Sequence, residues 1–343
     1  MLNSGFPDNL RANIDVERDL LCFREIQTEV AQKPFKGVDF IIPVLNNNIP
    51  SAYVLIGDID EEGEGMSPLI KHLNFIQTIS GIIVVAIENQ RLFRESLRQE
   101  ALRRELELAA RMQMMLIPDN SRLPADERIR VQGFYNPHYE VGGDYYDFLT
   151  LSDNVIGFCI ADVSGKGMSA ALLMSNFQAS LRSIFTAEAS LEELIRKLNA
   201  LVVVNSAGER FITLFIARYN LKTRVLEYVN AAHNPPVTVD LKTHRTAVLR
   251  QSCVGVGMLD EMPWVRTDYV TLNNPTKIIC YTDGLSELKD EKGIDFGTTP
   301  IIKHFGDRLP VADNIRSLID DLDIHPGNPR LFDDVSILAM ELL

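Results

Sequence analysis

From about residue 125 onward the chain is a succession of short β-type runs that come mostly in consecutive pairs, with helical runs grouped between them. The strand-like runs are RVQGFYN, NVIGFCIADV, FITLFIARYN, VLEYVNAA, TAVLRQ, TKIICYTD and DVSILAMEL. The helix-like runs are SAALLMSNFQASLRSIF, LEELIRKLNALVVVN and VADNIRSLIDDL. A parallel sheet needs a crossover between successive strands and so alternates strand with helix. Strands that follow one another directly pair antiparallel, and helices set apart from them pack on the outer faces. The ordering therefore predicts an α+β fold, not an alternating α/β one.

The first third of the chain reads differently. Residues 16–32 place Leu20, Phe23, Ile26 and Val30 at steps of three or four, which predicts an amphipathic helix, and Pro34 stands as its stop. VDFIIPVL (38–45), an Asn-rich turn and SAYVLIGDI (51–59) predict a β-hairpin. From Ser67 to Ile117 the one proline, Pro68, stands at the start and the one glycine is Gly81, so a single long helix is expected. In its charged second half Leu102, Leu106, Ala109, Met112 and Leu116 are spaced 4, 3, 3 and 4. That spacing is a coiled-coil seam of about two heptads. The alternative is a helix packed on its own domain. Pro118 ends it, and SRLPADER reads as a linker. Three regions follow: 1–67, the helix 68–118, and a larger domain 119–343. The order helix, strand, strand, long helix resembles part of a GAF or PAS sensor domain, a small α/β segment without all of its strands.

Lys plus Arg is 34 against 47 Asp plus Glu, a net charge of −13. Such a balance argues against non-specific binding to nucleic acid or to an anionic membrane. The most apolar run, Ile82 to Ile87, has six residues, whereas a membrane-spanning helix needs about 20. The first residues lack a basic start followed by an apolar core, so no signal peptide is expected. Cys22, Cys159, Cys253 and Cys280 show neither zinc nor redox spacing and sit in apolar stretches. The expectation is a reduced, cytoplasmic protein.

Four acidic motifs carry the chemistry. They are Val141-Gly142-Gly143-Asp144, Cys159-Ile160-Ala161-Asp162-Val163-Ser164-Gly165, Ile279-Cys280-Tyr281-Thr282-Asp283-Gly284 and Phe332-Asp333-Asp334-Val335-Ser336-Ile337-Leu338. Each puts a carboxylate at a strand end, and the neighbouring glycines let backbone approach closely. Mg²⁺ and Mn²⁺ are hard ions that prefer oxygen ligands. Two such ions about 3.5–4 Å apart can clamp a phosphate and activate water. Taken singly, each motif also has a plain reading. Asp283-Gly284 can be a turn, Asp162 a helix cap, and Asp333-Asp334 a turn. It is the four together, in this order, that point to one site. His233 in AAHNPP reads as structural, because Asn-Pro-Pro dictates a rigid turn.

With these motifs in place, residues 119–343, about two-thirds of the chain, resemble the SpoIIE/RsbU branch of the PPM (type-2C) serine/threonine phosphatases. The matching strings are GGDYYDF, IADVSGKGMSAALLM, FITLFIARYN, YVNAAHNPP, YTDGLSEL and DDVSILAMEL, and RMQMMLIP is similar to the family's regulatory linker helix. The resemblance implies an α-β-β-α sandwich and two Mn²⁺ or Mg²⁺ ions. Asp144 and Asp162 would bridge the ions, the Val163 carbonyl would complete one site, and Asp283 and Asp333 would hold the second ion. Asp147 and Asp334 would stand behind them. It also implies in-line attack on phosphorus by a metal-activated water, with no phospho-enzyme. The implied substrate is a phosphoserine on a small STAS-domain anti-sigma-factor antagonist, and the implied control is through a homodimer built on the linker helix. Two departures stand out. Eukaryotic members carry a histidine after the second metal aspartate, where this chain has DVSGKG with Lys166, and their phosphate-binding arginine has no counterpart here. Rival readings are a catalytically silent pseudo-phosphatase that binds partners, and a ligand sensor in the first segment. A diguanylate cyclase is a third, since GGDYY is similar to GGDEF, but the acidic pair of that loop is missing.

Overall fold

In the computed structural model, which describes residues 14–28, 35, 38–46, 49–57, 72–289, 293–328 and 330–343, the hairpin expected near the N-terminus is formed. Strand β1 (Phe40–Asn46) pairs antiparallel with β2 (Ile49–Ile56), Phe40 opposite Ile56 and Pro43 opposite Tyr53. Alternate residues point to opposite faces of a strand. Accordingly Ile41 packs with Leu20, Phe35 and Val38, whereas Phe40 and Ile42 pack with Leu73. Over the described part of the helix expected at 16–32, residues 16–28, only Val16–Leu20 is helical, as a single π-helical turn, and 29–32 lie outside the described residues. The backbone of Gln27 instead exchanges hydrogen bonds with Ile41, at 2.9 and 3.1 Å. The open edge of β1 satisfies that backbone as well as a helix would, and Leu20 is buried either way. Helix α1 spans Leu73–Met114, 42 residues. The part of the expected helix over 68–71 lies outside the described residues. Leu116 falls beyond its end, in a turn where its N–H donates to Gln113 O, so the expected seam keeps only its first four members within the helix. The chain divides into two units, Met1–Arg103 and Arg104–Leu343, and the division falls inside α1.

The second unit is built from β3 (Ile129–Asn136), β4 (Tyr145–Ser152), β5 (Val155–Val163), α2 (Met168–Ile184), α3 (Leu191–Ser206), β6 (Ile212–Asn220) and β7 (Val225–Ala231). It continues with β8 (Val237–Asp240), β9 (Thr246–Val248), β10 (Asp268–Thr271), β11 (Thr276–Tyr281), α4 (Asp283–Ser286), α5 (Thr299–Phe305), α6 (Val311–Asp321) and β12 (Val335–Leu342). One five-stranded sheet runs β10-β7-β6-β5-β4 and the other β3-β12-β11-β8-β9. All of the pairings are antiparallel.

Both faces of β12 are buried, and its residues divide by parity. Leu338, Met340 and Leu342 join the core shared with the first sheet, while Val335, Ile337 and Ala339 join a second core with Ile301, Phe305, Ile315 and Leu318 of α5 and α6. On the first sheet, α2 and α3 bury Met174, Phe177, Leu181, Leu194 and Leu198. Each large apolar side chain removed from water in these layers contributes roughly 1.5–3 kcal/mol. The result is four layers, α-β-β-α, as the sequence implied. Strands β4, β8 and β10 and helices α4 and α5 are additions to the runs read from sequence.

Candidate metal centre

The four acidic motifs meet where strands of the two sheets begin and end. Asp144 precedes β4 and Asp162 closes β5, and the pairing of Tyr145 with Ala161 sets these two ends side by side. Asp283 follows β11 and Asp333 precedes β12, and the pairing of Tyr281 with Ile337 does the same for them.

Asp144 is buried. Its Oδ2 accepts hydrogen bonds from Thr282 Oγ1 at 2.7 Å and from Ser336 Oγ at 2.6 Å. The Ser336 N–H donates to Thr282 Oγ1 at 2.9 Å, which frees that hydroxyl's proton for the carboxylate. One oxygen of Asp144 is thus held by the second sheet. Gly143, just before it, meets the Val163 carbonyl. A Cβ on Gly143 would stand 2.9 Å from that oxygen, so glycine leaves the carbonyl uncovered. The Ile212 N–H, opposite Val163 in the β5–β6 pairing, donates to Val256 O at 2.8 Å instead. The Val163 carbonyl therefore does not take the N–H of the residue paired with it.

Asp334 is turned away from a ligand's role. Its Oδ2 accepts from the Gly143 N–H at 2.7 Å and its Oδ1 from the His138 N–H at 2.8 Å. It ties the loop that carries Asp144 to β12. Asp333 faces Lys166, whose Nζ stands 2.8 Å from Asp333 Oδ2 and also donates to the Phe332 carbonyl. Gly284, after Asp283, packs against the Asp334 backbone so closely that any side chain there would collide with it.

Asp144, Asp162, Asp283 and Asp334 resist ionisation. Burial pushes Asp144 well above the usual carboxylate range, and the charges of Asp162 and Asp334 push it further against the two hydroxyl bonds. Asp162 is carried up to about 7, by burial first and then by Asp283, Asp333 and Asp334. Burial also raises Asp283, aided by Asp333 and Glu287, and it raises Asp334 against the pull of its backbone bonds. Repulsion of this kind is relieved by a cation of high charge. An all-oxygen donor set of one buried and three half-buried carboxylates with one backbone carbonyl fits Mn²⁺ or Mg²⁺. Among the described residues no three acidic, histidine or cysteine side chains already stand as a closed chelate. Two of the donors, Asp144 and Asp333, are turned instead to the hydroxyls and the ammonium named above.

Asp147 is not part of this group. It lies on β4, where Arg182 of α2 grips it with Nε at 2.7 Å and Nη2 at 2.8 Å, and the Tyr145 hydroxyl donates to it as well. The expectation that it stands behind the metal ligands is corrected: a buried carboxylate needs its own counter-ion, and Arg182 supplies it. His233 is structural as expected. It is buried, with Nδ1 2.8 Å from Thr213 Oγ1, and its N–H donates to Asn230 Oδ1 at 2.9 Å. Burial lowers its pKa to about 4 and keeps it neutral.

Several residues of the site escaped the sequence reading. Thr282 stands directly before Asp283 and Ser336 two residues after Asp334, and a small hydroxyl within an acidic motif was the available signal. Gln113, in the last turn of α1, donates from Nε2 to Gly142 O at 2.6 Å and accepts the Gly142 N–H at 3.1 Å. Arg210 donates to Ser164 O and, at 2.8 Å, to Ser169 Oγ, and so braces the loop after Asp162. No local pattern distinguishes these last two.

Residues 152–343 match the family described as stage II sporulation protein E (SpoIIE). That stretch includes Asp162, Val163, Asp283 and Asp333, and Asp144 precedes it. Phosphoserine phosphatase RsbU of Bacillus subtilis (strain 168) is 28% identical over 195 residues, which are 57% of this chain and 57% of RsbU. The chain spans about half the length of the curated relatives it matches. Among solved structures, the SiaA-PP2C domain of Pseudomonas aeruginosa superposes with a TM-score of 0.60 at 21% identity, covering 71% of this chain and 98% of that domain. RsbX in complex with magnesium superposes with a TM-score of 0.51 at 17% identity, covering 65% of this chain and 99% of RsbX. These likenesses establish the sandwich fold.

Proposed function

Since the chain belongs to the SpoIIE family, we propose that it is a metal-dependent protein serine phosphatase whose centre is formed by Asp144, Asp162, the Val163 carbonyl, Asp283 and Asp333. One observation carries the reading: acidic residues from four separate strand ends converge, and burial together with neighbouring carboxylate charge raises the pKa of Asp144, Asp162 and Asp283. The relative named as a phosphoserine phosphatase and the relative solved with magnesium support the reaction and the cation.

Two ions, Mn²⁺ or Mg²⁺, would supply Lewis-acid activation of water and neutralise charge on the phosphoryl group. Asp144, Asp162, the Val163 carbonyl, Asp283 and Asp333 would hold them. Thr282 and Ser336 fix the orientation of Asp144 by engaging one of its oxygens. Asp334 holds the Gly143 backbone and so anchors the residue that precedes Asp144. Reaction at such a centre needs no nucleophilic side chain. The buried thiols of Cys159 and Cys280, pushed up by burial, are suited to none.

The proposed substrate is a phosphoserine on a STAS-domain anti-sigma-factor antagonist, met in the cytoplasm. The division into a sensor-like segment over 1–67, a linker helix over 68–118 and a phosphatase domain over 119–343 belongs to the same proposal. So does a homodimer through α1, supported by the exposed Leu102, Leu108 and Met112 on its surface. Among the described residues no helix is long and apolar enough to cross a membrane.

Hydrolysis of p-nitrophenyl phosphate with Mn²⁺, with Mg²⁺ and with EDTA, alongside Asp283→Asn, tests the reading. Turnover that needs the cation and is lost in the variant is expected. Turnover that survives EDTA or the substitution would sink it. Inertness with either metal, from protein that also binds none, would leave the silent binding module as the reading.

A further inference from the structure

Of the carboxylates at the centre, Asp333 alone is ion-paired among the described residues. Asp144 takes neutral hydroxyls and Asp334 takes backbone N–H groups. Lys166 Nζ stands 2.8 Å from Asp333 Oδ2, and the same ammonium donates to the carbonyl of the preceding residue, Phe332. The two residues are 167 positions apart and share no secondary-structure element.

The loop that carries Lys166 is braced. The Ser164 N–H donates to Phe211 O at 2.9 Å, and the Phe211 N–H returns to Ser164 Oγ at 2.9 Å. Arg210 clamps Ser164 O and Ser169 Oγ on either side of the lysine. Gly165 and Gly167 take φ of 86° and 77°, a left-handed path that any other residue would strain. This path follows Val163 directly, so one loop presents both a carbonyl for a cation and an ammonium in a cation's place. Both partners keep 42% of their side-chain surface exposed, so the ammonium can leave without opening the core.

Resting on the metal-centre reading, we propose that Lys166 is an affinity-determining residue of this centre. Its ammonium shares Asp333 with the second divalent cation and must give up that oxygen before the ion binds. An ammonium and a divalent ion on one carboxylate oxygen repel each other, so only one can hold it. The two sites are therefore unequal. The one built on Asp144, Asp162 and Val163 fills first, and the one built on Asp283 and Asp333 fills at higher cation concentration.

The test is Mn²⁺ binding to the metal-stripped full chain, read by titration calorimetry and by the electron paramagnetic resonance signal of free Mn²⁺. The wild type should bind two ions with unequal Kd. Lys166→Met should tighten the weaker site by about two- to fivefold, the scale of a half-exposed ion pair removed from competition. It should leave the tighter site unchanged, and Lys166→Arg should keep the wild-type values. Circular dichroism checks that each variant is folded, and Lys166→Gln, judged by the same criteria, replaces Met if that variant fails. An unchanged or weaker second site in the Met or Gln variant overturns the role of Lys166 and leaves the metal centre standing. No Mn²⁺ bound by the wild type overturns the metal centre, and the role of Lys166 with it.

Discussion

Replacing Asp162 with asparagine should stabilise the protein when it is stripped of divalent cations, by an amount that grows as pH rises from about 4 to about 7. Burial and three neighbouring carboxylates carry Asp162 from 3.8 to about 7. Between those values the native state keeps a proton that the unfolded chain has lost. Stability from this group therefore falls as pH rises through that window and levels off above about 7. At about 1.4 kcal/mol for each tenfold, ionising Asp162 in the native state costs about 4 kcal/mol by pH 8. In a unit of this size each kcal/mol moves the melting temperature by roughly 2–4 °C, so the effect is on the order of 10 °C. Asp162→Asn carries no charge and escapes the cost.

His233 pulls the other way. Lowered from 6.5 to about 4, it gains stability as pH rises through that interval. It is the same in both proteins, so the difference between them removes it. The assay is calorimetric melting of wild type and variant in chelator from pH 5 to 8. A stability advantage of the variant that grows by roughly 3 kcal/mol between pH 5 and pH 8, most of it gained by pH 7, is expected. If the variant is destabilised equally at both ends, the carboxylates do not share one buried field, and the electrostatic basis of the centre fails.

Two further outcomes follow from the packing. Arg182→Ala strands the fully buried Asp147 carboxylate and should cost about 3–5 kcal/mol in urea unfolding; Asp147→Asn on the same background should recover part of the loss, and Mn²⁺ affinity should stay unchanged. Leu102→Glu with Ala109→Glu, on α1, should convert a dimer to monomer in sedimentation velocity; a wild type that is monomeric at every concentration rejects the dimer itself.

Much of the second unit was legible because its strands and helices announce themselves locally. The runs ending at Asp162 and at Asp283 are apolar up to the acid and broken by glycine after it, and β11 and β12 are apolar on both faces. Strand β4 was not legible. Its sequence YYDFLTLS places a charged residue among buried ones, which argues against a strand until Arg182 is seen to neutralise it. The described part of that first expected helix, residues 16–28, failed in the opposite sense. Its apolar spacing fits a helix, but β1 offered Gln27 an edge to pair with, and tertiary pairing overrode local periodicity.

The sequence by itself determined which residues end strands, which faces are apolar, and therefore that carboxylates gather at one end of a sandwich. Backbone conformation and face depend on near neighbours, so a linear pattern can encode them. Only the tertiary structure decided which partner each carboxylate takes. Asp144 meets hydroxyls 138 and 192 positions away, Asp333 meets Lys166, and Asp147 leaves the centre for Arg182. Those choices are set by the register and stacking of strands distant in the chain, and a shift of one residue would exchange every one of them.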